Sequence, residues 1–380
     1  MQFYSCSKSG GSKPIATVSA KINSISQDRT TTASVFKFTV SLDKVASSDV
    51  SVHYTTQEGT ANTPADFTAV TGTLTIDAGQ TKGYIEVQVT GDSIRKDNQL
   101  FYVQLNNPQN CSIVTAKGTA TIINENGTSF PVDNAGYSTP DNYPGYTLAW
   151  SDEFTTNTID PGTWTFETGA GGWGNNELEN YTNSPQNAFA SQGNLIIEAR
   201  RINNGSTTSY TSARMITKNQ KTFTYGRVDI RAKLPSGKGI WPALWMLGNN
   251  IDAAGWPACG ELDIMELLGQ EPNKVYGTVH YGSSVASHQS KGSSYVLGSG
   301  TFNDEFHVYS MIWQTDSIKL YIDDVQFFAA SKASIGTPYP FDNPFFFIFN
   351  IAVGGNWPGN PDGSTVFPQR MIVDYVRVFQ

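Results

Sequence analysis

Three carboxylates fall within six residues of an otherwise apolar run, Gly260-Glu-Leu-Asp-Ile-Met-Glu-Leu-Leu268. Side chains alternate along a regular strand, so Glu261 and Asp263 share one face while Glu266 points the other way, into a core. One extra residue at Ile264-Met265, a β-bulge, returns Glu266 to the side of the other two. The sequence therefore predicts a bulge there and three carboxylates on one concave sheet surface. Such crowding is costly, because each negative charge disfavours ionisation of its neighbours, and Thr or Val would suit a strand better. A charged face inside an apolar run is a functional candidate, to be weighed against a solvent-facing acidic stripe or a calcium site. The chemistry it supports is cleavage of a glycosidic bond. One carboxylate ionises and attacks or stabilises the anomeric carbon, and another carries a proton to the leaving oxygen. Asp263, the third acid, can hold the nucleophile by a hydrogen bond and tune its neighbours' protonation.

The elements that must position these acids are strands. The chain has 380 residues, enough for one large domain or two smaller ones. It is 38% hydrophobic and only 15% charged, with 35 Gly and 18 Pro, which excludes disordered, collagen-like and coiled-coil classes. A net charge of −8 argues against a nucleic-acid or anionic-membrane footprint. No apolar run is long enough for a membrane-spanning helix. Three cysteines, Cys6, Cys111 and Cys259, form neither a disulfide framework nor a zinc spacing. Cys259 beside the acids reads as a buried packing thiol. His53, His288 and His307 show no metal spacing.

All eight tryptophans lie after residue 149, which marks two different domains. Residues 14–126 read as an antiparallel β-sandwich. Phe36, Phe38, Val40 and Leu42 alternate with polar residues, as do Val50, Val52 and Tyr54, then Ile85, Val87 and Val89, then Phe101, Val103 and Leu105. Residues 127–145, rich in Pro, Gly, Asn and Ser, read as a linker. Residues 146–380 form a second, larger all-β domain, with strands expected at 194–199, 225–234, 318–322, 345–349 and 371–378 and no convincing helical stripe.

The order of segments in the first domain resembles a Calx-β domain: Val52-His-Tyr-Thr-Thr-Gln-Glu-Gly-Thr-Ala61, Ala65-Asp-Phe67, Gly72-Thr-Leu-Thr-Ile76 and Gly118-Thr-Ala-Thr-Ile-Ile123. Such domains often bind calcium through clustered acids. Here Arg95-Lys-Asp-Asn-Gln-Leu100 stands where an acidic stretch is usual, so a spacer or accessory module is expected instead. A polysaccharide-binding unit is the further option.

The second domain is similar to glycoside hydrolase family 16, laminarinase-like members. The resemblance rests on Glu-x-Asp-x-x-Glu preceded by Trp256-Pro-Ala-Cys-Gly260, with Trp150-Ser-Asp-Glu-Phe154, Gly171-Gly-Trp-Gly-Asn-Asn-Glu-Leu178, Tyr210-Thr-Ser-Ala-Arg214, Gly239-Ile-Trp-Pro-Ala-Leu-Trp-Met-Leu247, Gly277-Thr-Val-His280 and Val353-Gly-Gly-Asn-Trp357 in order. It implies a concanavalin-like β-jelly-roll sandwich and a retaining endo-hydrolase of β-1,3-glucan. In that scheme Glu261 is the nucleophile, Glu266 the general acid/base and Asp263 the assisting acid. Mixed-linkage β-1,3-1,4-glucanase is the nearest alternative activity, with agarase or carrageenase further away. A lectin-like binding protein is the alternative from another class. Sugars present flat C–H faces that suit an indole, and Trp173, Trp241, Trp245, Trp256 and Trp357 are assigned to the cleft. Trp150, Trp164 and Trp313 are left to the core. Asn176, Arg214 and His280 match positions that face sugar hydroxyls or orient the acids. A structural calcium is implied at Glu153, a backbone carbonyl near Gly193, and Asp374. No cofactor is implied for catalysis, and a monomer is expected. Residues 1–13 look like the tail of a bacterial lipoprotein signal with Cys6 as the lipid anchor, so an extracytoplasmic location is expected.

Overall fold

A computed structural model of the chain describes residues 18–125, 127–204 and 207–380. The expectations for residues 1–13, including the lipid anchor at Cys6, lie outside these residues. The chain divides into two compact units at Phe130/Pro131.

The first unit is a sandwich of a four-stranded and a five-stranded sheet. Lys82–Val89 alternates exposed and buried residues along its whole length. Phe36, Phe38, Val40, Ile85, Val87, Val89, Phe101, Val103 and Leu105 fill the space between the sheets. Phe67 stacks on Phe101 with ring centroids 4.5 Å apart. At one end the buried guanidinium of Arg29 pairs with Asp92 and, at 2.8 Å, with Asp66. Lys96 reaches the same two carboxylates at 3.0 and 3.4 Å. Asp66 and Asp92 are thus paired with the chain's own cations.

The second unit packs a ten-stranded sheet against an eight-stranded one. Strands of the smaller sheet follow the order Thr165–Glu167, Arg214–Ile216, Phe345–Val353, Ile240–Gly248, Glu261–Leu267, Lys274–Tyr281, Gln289–Val296. Nearly all neighbours pair antiparallel, as local hairpins and a jelly-roll require. Phe345–Val353 is buried along its whole length, as befits a central strand. Trp164 and Trp313 are fully buried, and Trp150 packs against the same core.

The stretch 127–145 is not a free linker. Residues up to Phe130 belong to the first unit, where the Arg95 amide donates to the Ser129 carbonyl at 2.6 Å. From Pro131 on, the chain packs onto the second unit. Arg231 donates to the carbonyls of Tyr137 and Asn134 at 2.6 and 2.8 Å, and the Tyr143 hydroxyl donates to Asp229 at 2.6 Å. Proline and glycine announce irregular backbone, but long-range side chains fix it in place.

Candidate active site

The strand Glu261–Leu267 lies between Ile240–Gly248 and Lys274–Tyr281. Against the first neighbour, Leu247 faces Glu261, Trp245 faces Asp263, Leu244 faces Met265 and Ala243 faces Glu266, so Ile264 has no counterpart. Against the second, Glu261 faces His280, Asp263 faces Thr278 and Glu266 faces Tyr276, with the register broken between Asp263 and Glu266. This is the expected bulge. Ile264 and Met265 are both wholly buried in the core, and the three carboxylates line one cleft of about 750 Å³. A volume of this order holds a substrate of several rings rather than a single small ion.

Two of the acids are held by indoles. Trp256 Nε1 donates to Glu261 Oε2 at 2.9 Å, and Trp241 Nε1 donates to Glu266 Oε1 at 3.1 Å. Asp263 Oδ2 is buried with no hydrogen-bond donor properly directed at it, although His280 Nε2 lies 3.2 Å away. The other side of His280, Nδ1, meets His288 Nε2 at 2.8 Å. Burial, then the charge of Asp263, pushes Glu261 up to about 8, against the opposing pull of His280 and the Trp256 hydrogen bond. Burial likewise pushes Asp263 up to about 8. Glu266 is driven well above the carboxylate range by burial and then by the charges of the other two. At neutral pH the trio therefore does not carry three charges. Glu266 keeps a proton it can give away, and Asp263 and Glu261 interact as a pair that can share one. An acid beside an ionisable carboxylate on one face is the equipment for general-acid and nucleophilic chemistry.

The cleft walls are aromatic. Trp173, Trp241, Trp245, Trp256 and Trp357 all line it, as do Arg214 and His280. Trp256 and Trp357 are more than a third exposed, an uncommon state for indole without a ligand to cover it. Trp357 meets Trp241 and Tyr276 edge-on. Arg214 makes no hydrogen bond to the three acids, although its charge favours the ionised form of Glu261. Its Nε donates to Glu167 at 2.5 Å, and its guanidinium lies over Trp173 and Trp245 at 5.1 and 4.7 Å. It thus pins two cleft indoles by cation–π contact.

Asn176 is not a lining residue. It sits at φ +58° in a tight turn closed on the Gly172 carbonyl, and its amide donates to Asn356 at 2.9 Å, tying two loops together. That backbone turn presents Asn175 and Glu177 to the cleft instead. Sequence reasoning also missed Asn350 and His288. Asn350 interrupts the apolar run Phe345–Val353 and accepts from Trp245 Nε1 at 2.8 Å, so a lone amide in a buried strand was the available signal. His288 is set beside Trp256 by the loop before Gln289–Val296, and no local pattern announces it.

The residues expected to hold calcium do not fit it. Both Glu153 oxygens accept from Arg377 at 2.8 Å, and Asp374 accepts from Arg231 at 2.7 Å. Each carboxylate is paired with a guanidinium and both Glu153 oxygens are taken, which leaves Asp374 Oδ1, too little for a hard cation that wants about six to eight oxygens. Among the described residues the one group of three or more His, Cys or acidic side chains with converging donor atoms is Glu261, Asp263 and His280, within 4.8 Å of one another.

A family model for glycosyl hydrolases family 16 matches residues 175–377 and one for the Calx-beta domain matches 18–126. A model for beta-glucan synthesis-associated proteins SKN1/KRE6/Sbg1 matches 83–262, across the boundary of the two units. The chain is similar to a glucan endo-1,3-beta-glucosidase A1 of Niallia circulans, 42% identical over 62% of this chain and 38% of that protein. It is similar to a beta-glucanase of Rhodothermus marinus, 40% identical over 62% of this chain and 86% of that one. Among solved structures, the laminarinase catalytic domain of Thermotoga maritima superposes with a TM-score of 0.57 at 48% identity, over 62% of this chain and 98% of that one.

Proposed function

The chain belongs to glycosyl hydrolases family 16, and from that premise we propose that it is a retaining endo-hydrolase of β-1,3-glucan. The observation that carries the reading is the bulge. It brings Glu261 and Glu266 to one face, each bonded to a different cleft indole. In the first half-reaction the Glu261 carboxylate attacks the anomeric carbon while the Glu266 proton passes to the departing glycosidic oxygen. In the second, Glu266 takes a proton from water, whose oxygen displaces Glu261. Asp263 holds Glu261 through the proton they share, and the donor moves as charge on Glu261 comes and goes. The aromatic walls carry the apolar sugar faces. The names of the relatives support the same substrate class. A polymer of that size is met outside the cytoplasm, which is where this reading places the protein.

The test is product analysis on laminarin, curdlan and lichenan, with the first anomer released followed by NMR. Glu261→Gln is expected to lose nearly all hydrolysis. Glu266→Gln is expected to lose it on polysaccharide, yet still to glycosylate from an aryl glycoside whose leaving group needs no proton. An inverted first product, or wild-type rates in either variant, would overturn the assignment.

A further inference from the structure

Away from the catalytic trio, a second pair of carboxyls sits in the wall of the same cleft. Alternation along 177–181 places Glu177, Glu179 and Tyr181 on one face. Glu177 is half-buried and lines the cleft. Its Oε1 accepts from the Asn175 amide at 3.1 Å and its Oε2 from the Tyr181 hydroxyl at 3.3 Å. A carboxylate has about four lone-pair directions; with a third taken by the neighbouring Glu179 carboxyl, one remains for a donor arriving from the cleft. Among the described residues no Lys or Arg is paired with Glu177, and the nearby guanidinium of Arg214 is taken by Glu167. Beneath it Glu179 is wholly buried. One of its oxygens accepts from the Val353 amide at 2.6 Å, and the other, Oε1, has no donor.

We propose that Glu177 is a substrate-binding carboxylate that accepts a hydrogen bond from a hydroxyl of a glucosyl unit lying against Trp173, with the Glu179 carboxyl as its positioning residue. The inference rests on the glucanase reading. An unsatisfied buried carboxylate oxygen next to another carboxylate is costly unless it carries a hydrogen. Burial and then the charge of Glu177 push Glu179 up to about 8, so at neutral pH it is the protonated member. Its O–H then has Glu177 as partner, and the single charge of the pair faces the cleft. The other titratable or charged groups around the pair are Tyr181, which burial holds in its phenol form, and Arg214. A 1,3-linked glucosyl unit keeps its 2-, 4- and 6-hydroxyls, whereas a 1,4-linked one has lost the 4-hydroxyl. It keeps the 3-hydroxyl instead, so an acceptor-only carboxylate at a fixed place tells the two apart by where the donor lies, not by how many there are.

The experiment compares Glu177→Gln, Glu179→Gln and Glu179→Leu with the wild type in the full chain, measuring kcat and KM on laminarin from pH 5 to 9. Glu177→Gln is expected to raise KM about tenfold while kcat changes less than about threefold. Glu179→Leu is expected to raise KM similarly. Glu179→Gln should rescue it, since an amide N–H replaces the acid O–H. Wild-type KM should also climb above about pH 8, where Glu179 ionises beside Glu177, and Glu179→Gln should abolish that climb. Unchanged KM in Glu177→Gln, or an alkaline climb that survives in Glu179→Gln, would overturn the proposal. If Glu179→Leu does not fold, those two measurements still decide. A wild-type enzyme that leaves laminarin intact would instead refute the glucanase reading itself.

Discussion

Replacing Asp263 with Asn keeps the shape of the protonated acid and removes the group that titrates, so the variant should gain stability over the wild type as pH rises. Asp263 is 4% exposed, and burial raises it from 3.8 to about 8. A carboxyl raised in the folded state binds more protons there than in the unfolded chain throughout that window. Stability therefore falls with increasing pH between about 4 and 8 and is flat outside it. Each pH unit inside the window costs about 1.4 kcal/mol per independent group. From pH 4.5 to pH 7 that is at most about 3 kcal/mol, and sharing of protons with Glu261 and Glu266 reduces it to about 2 kcal/mol. The assay follows from the sequence, since all eight tryptophans lie in the second unit. Urea titration monitored by tryptophan emission then reports that unit alone. The two proteins should unfold at similar urea concentrations near pH 4.5 and separate towards pH 8, with Asp263→Asn the more stable. Parallel curves, or a variant weakened most at high pH, would show that the acids ionise freely in the cleft and that no proton is stored there.

Trp256→Phe removes the indole N–H donated to Glu261. A donor that favours the charged form is lost, so Glu261 should titrate higher, the acidic limb of kcat/KM should move to higher pH, and the rate near pH 6 should fall about tenfold. An unmoved limb would mean that another group controls it. Arg29→Met takes the buried guanidinium from Asp66 and Asp92, which keep Lys96 and neutral donors such as the Gln99 amide, and should destabilise the first unit by about 3 kcal/mol. Hydrogen exchange in the full chain would register this as faster exchange at the Phe101–Leu105 amides, with those of Phe345–Val353 unchanged. Equal protection in both proteins would refute it.

The acids were legible because the relevant geometry is local. Two alternating carboxylates followed by an extra pair of apolar residues specify a bulge wherever the two residues must be buried, and Ile264 and Met265 are. The β character of both units was legible for the same reason, as period-two burial along Lys82–Val89 shows. Contacts made across strands left no such trace. Arg214 was expected beside a carboxylate and has one, but pairing of Thr165–Glu167 with Arg214–Ile216 makes it Glu167 rather than a catalytic acid. Asn176 was displaced by one residue because a positive-φ turn decides which of two adjacent asparagines faces the cleft. The arginines at the expected calcium positions were hidden for a related reason: Arg231 reaches Asp374 only through the pairing of Gly226–Lys233 with Gln369–Phe379, and Arg377 reaches Glu153 only through the pairing of Leu148–Asp152 with that same strand. Local alternation placed Glu177 and Glu179 together in plain view. What gives that pair meaning is a buried oxygen without a donor, the same condition found at Asp263. A carboxyl that is buried and unsatisfied can be stable only with its proton on, and a cleft that binds hydroxyls uses each such proton to aim a neighbouring charge. The two sites are thus one device used twice, once under the bond to be broken and once under the sugar that holds it in place.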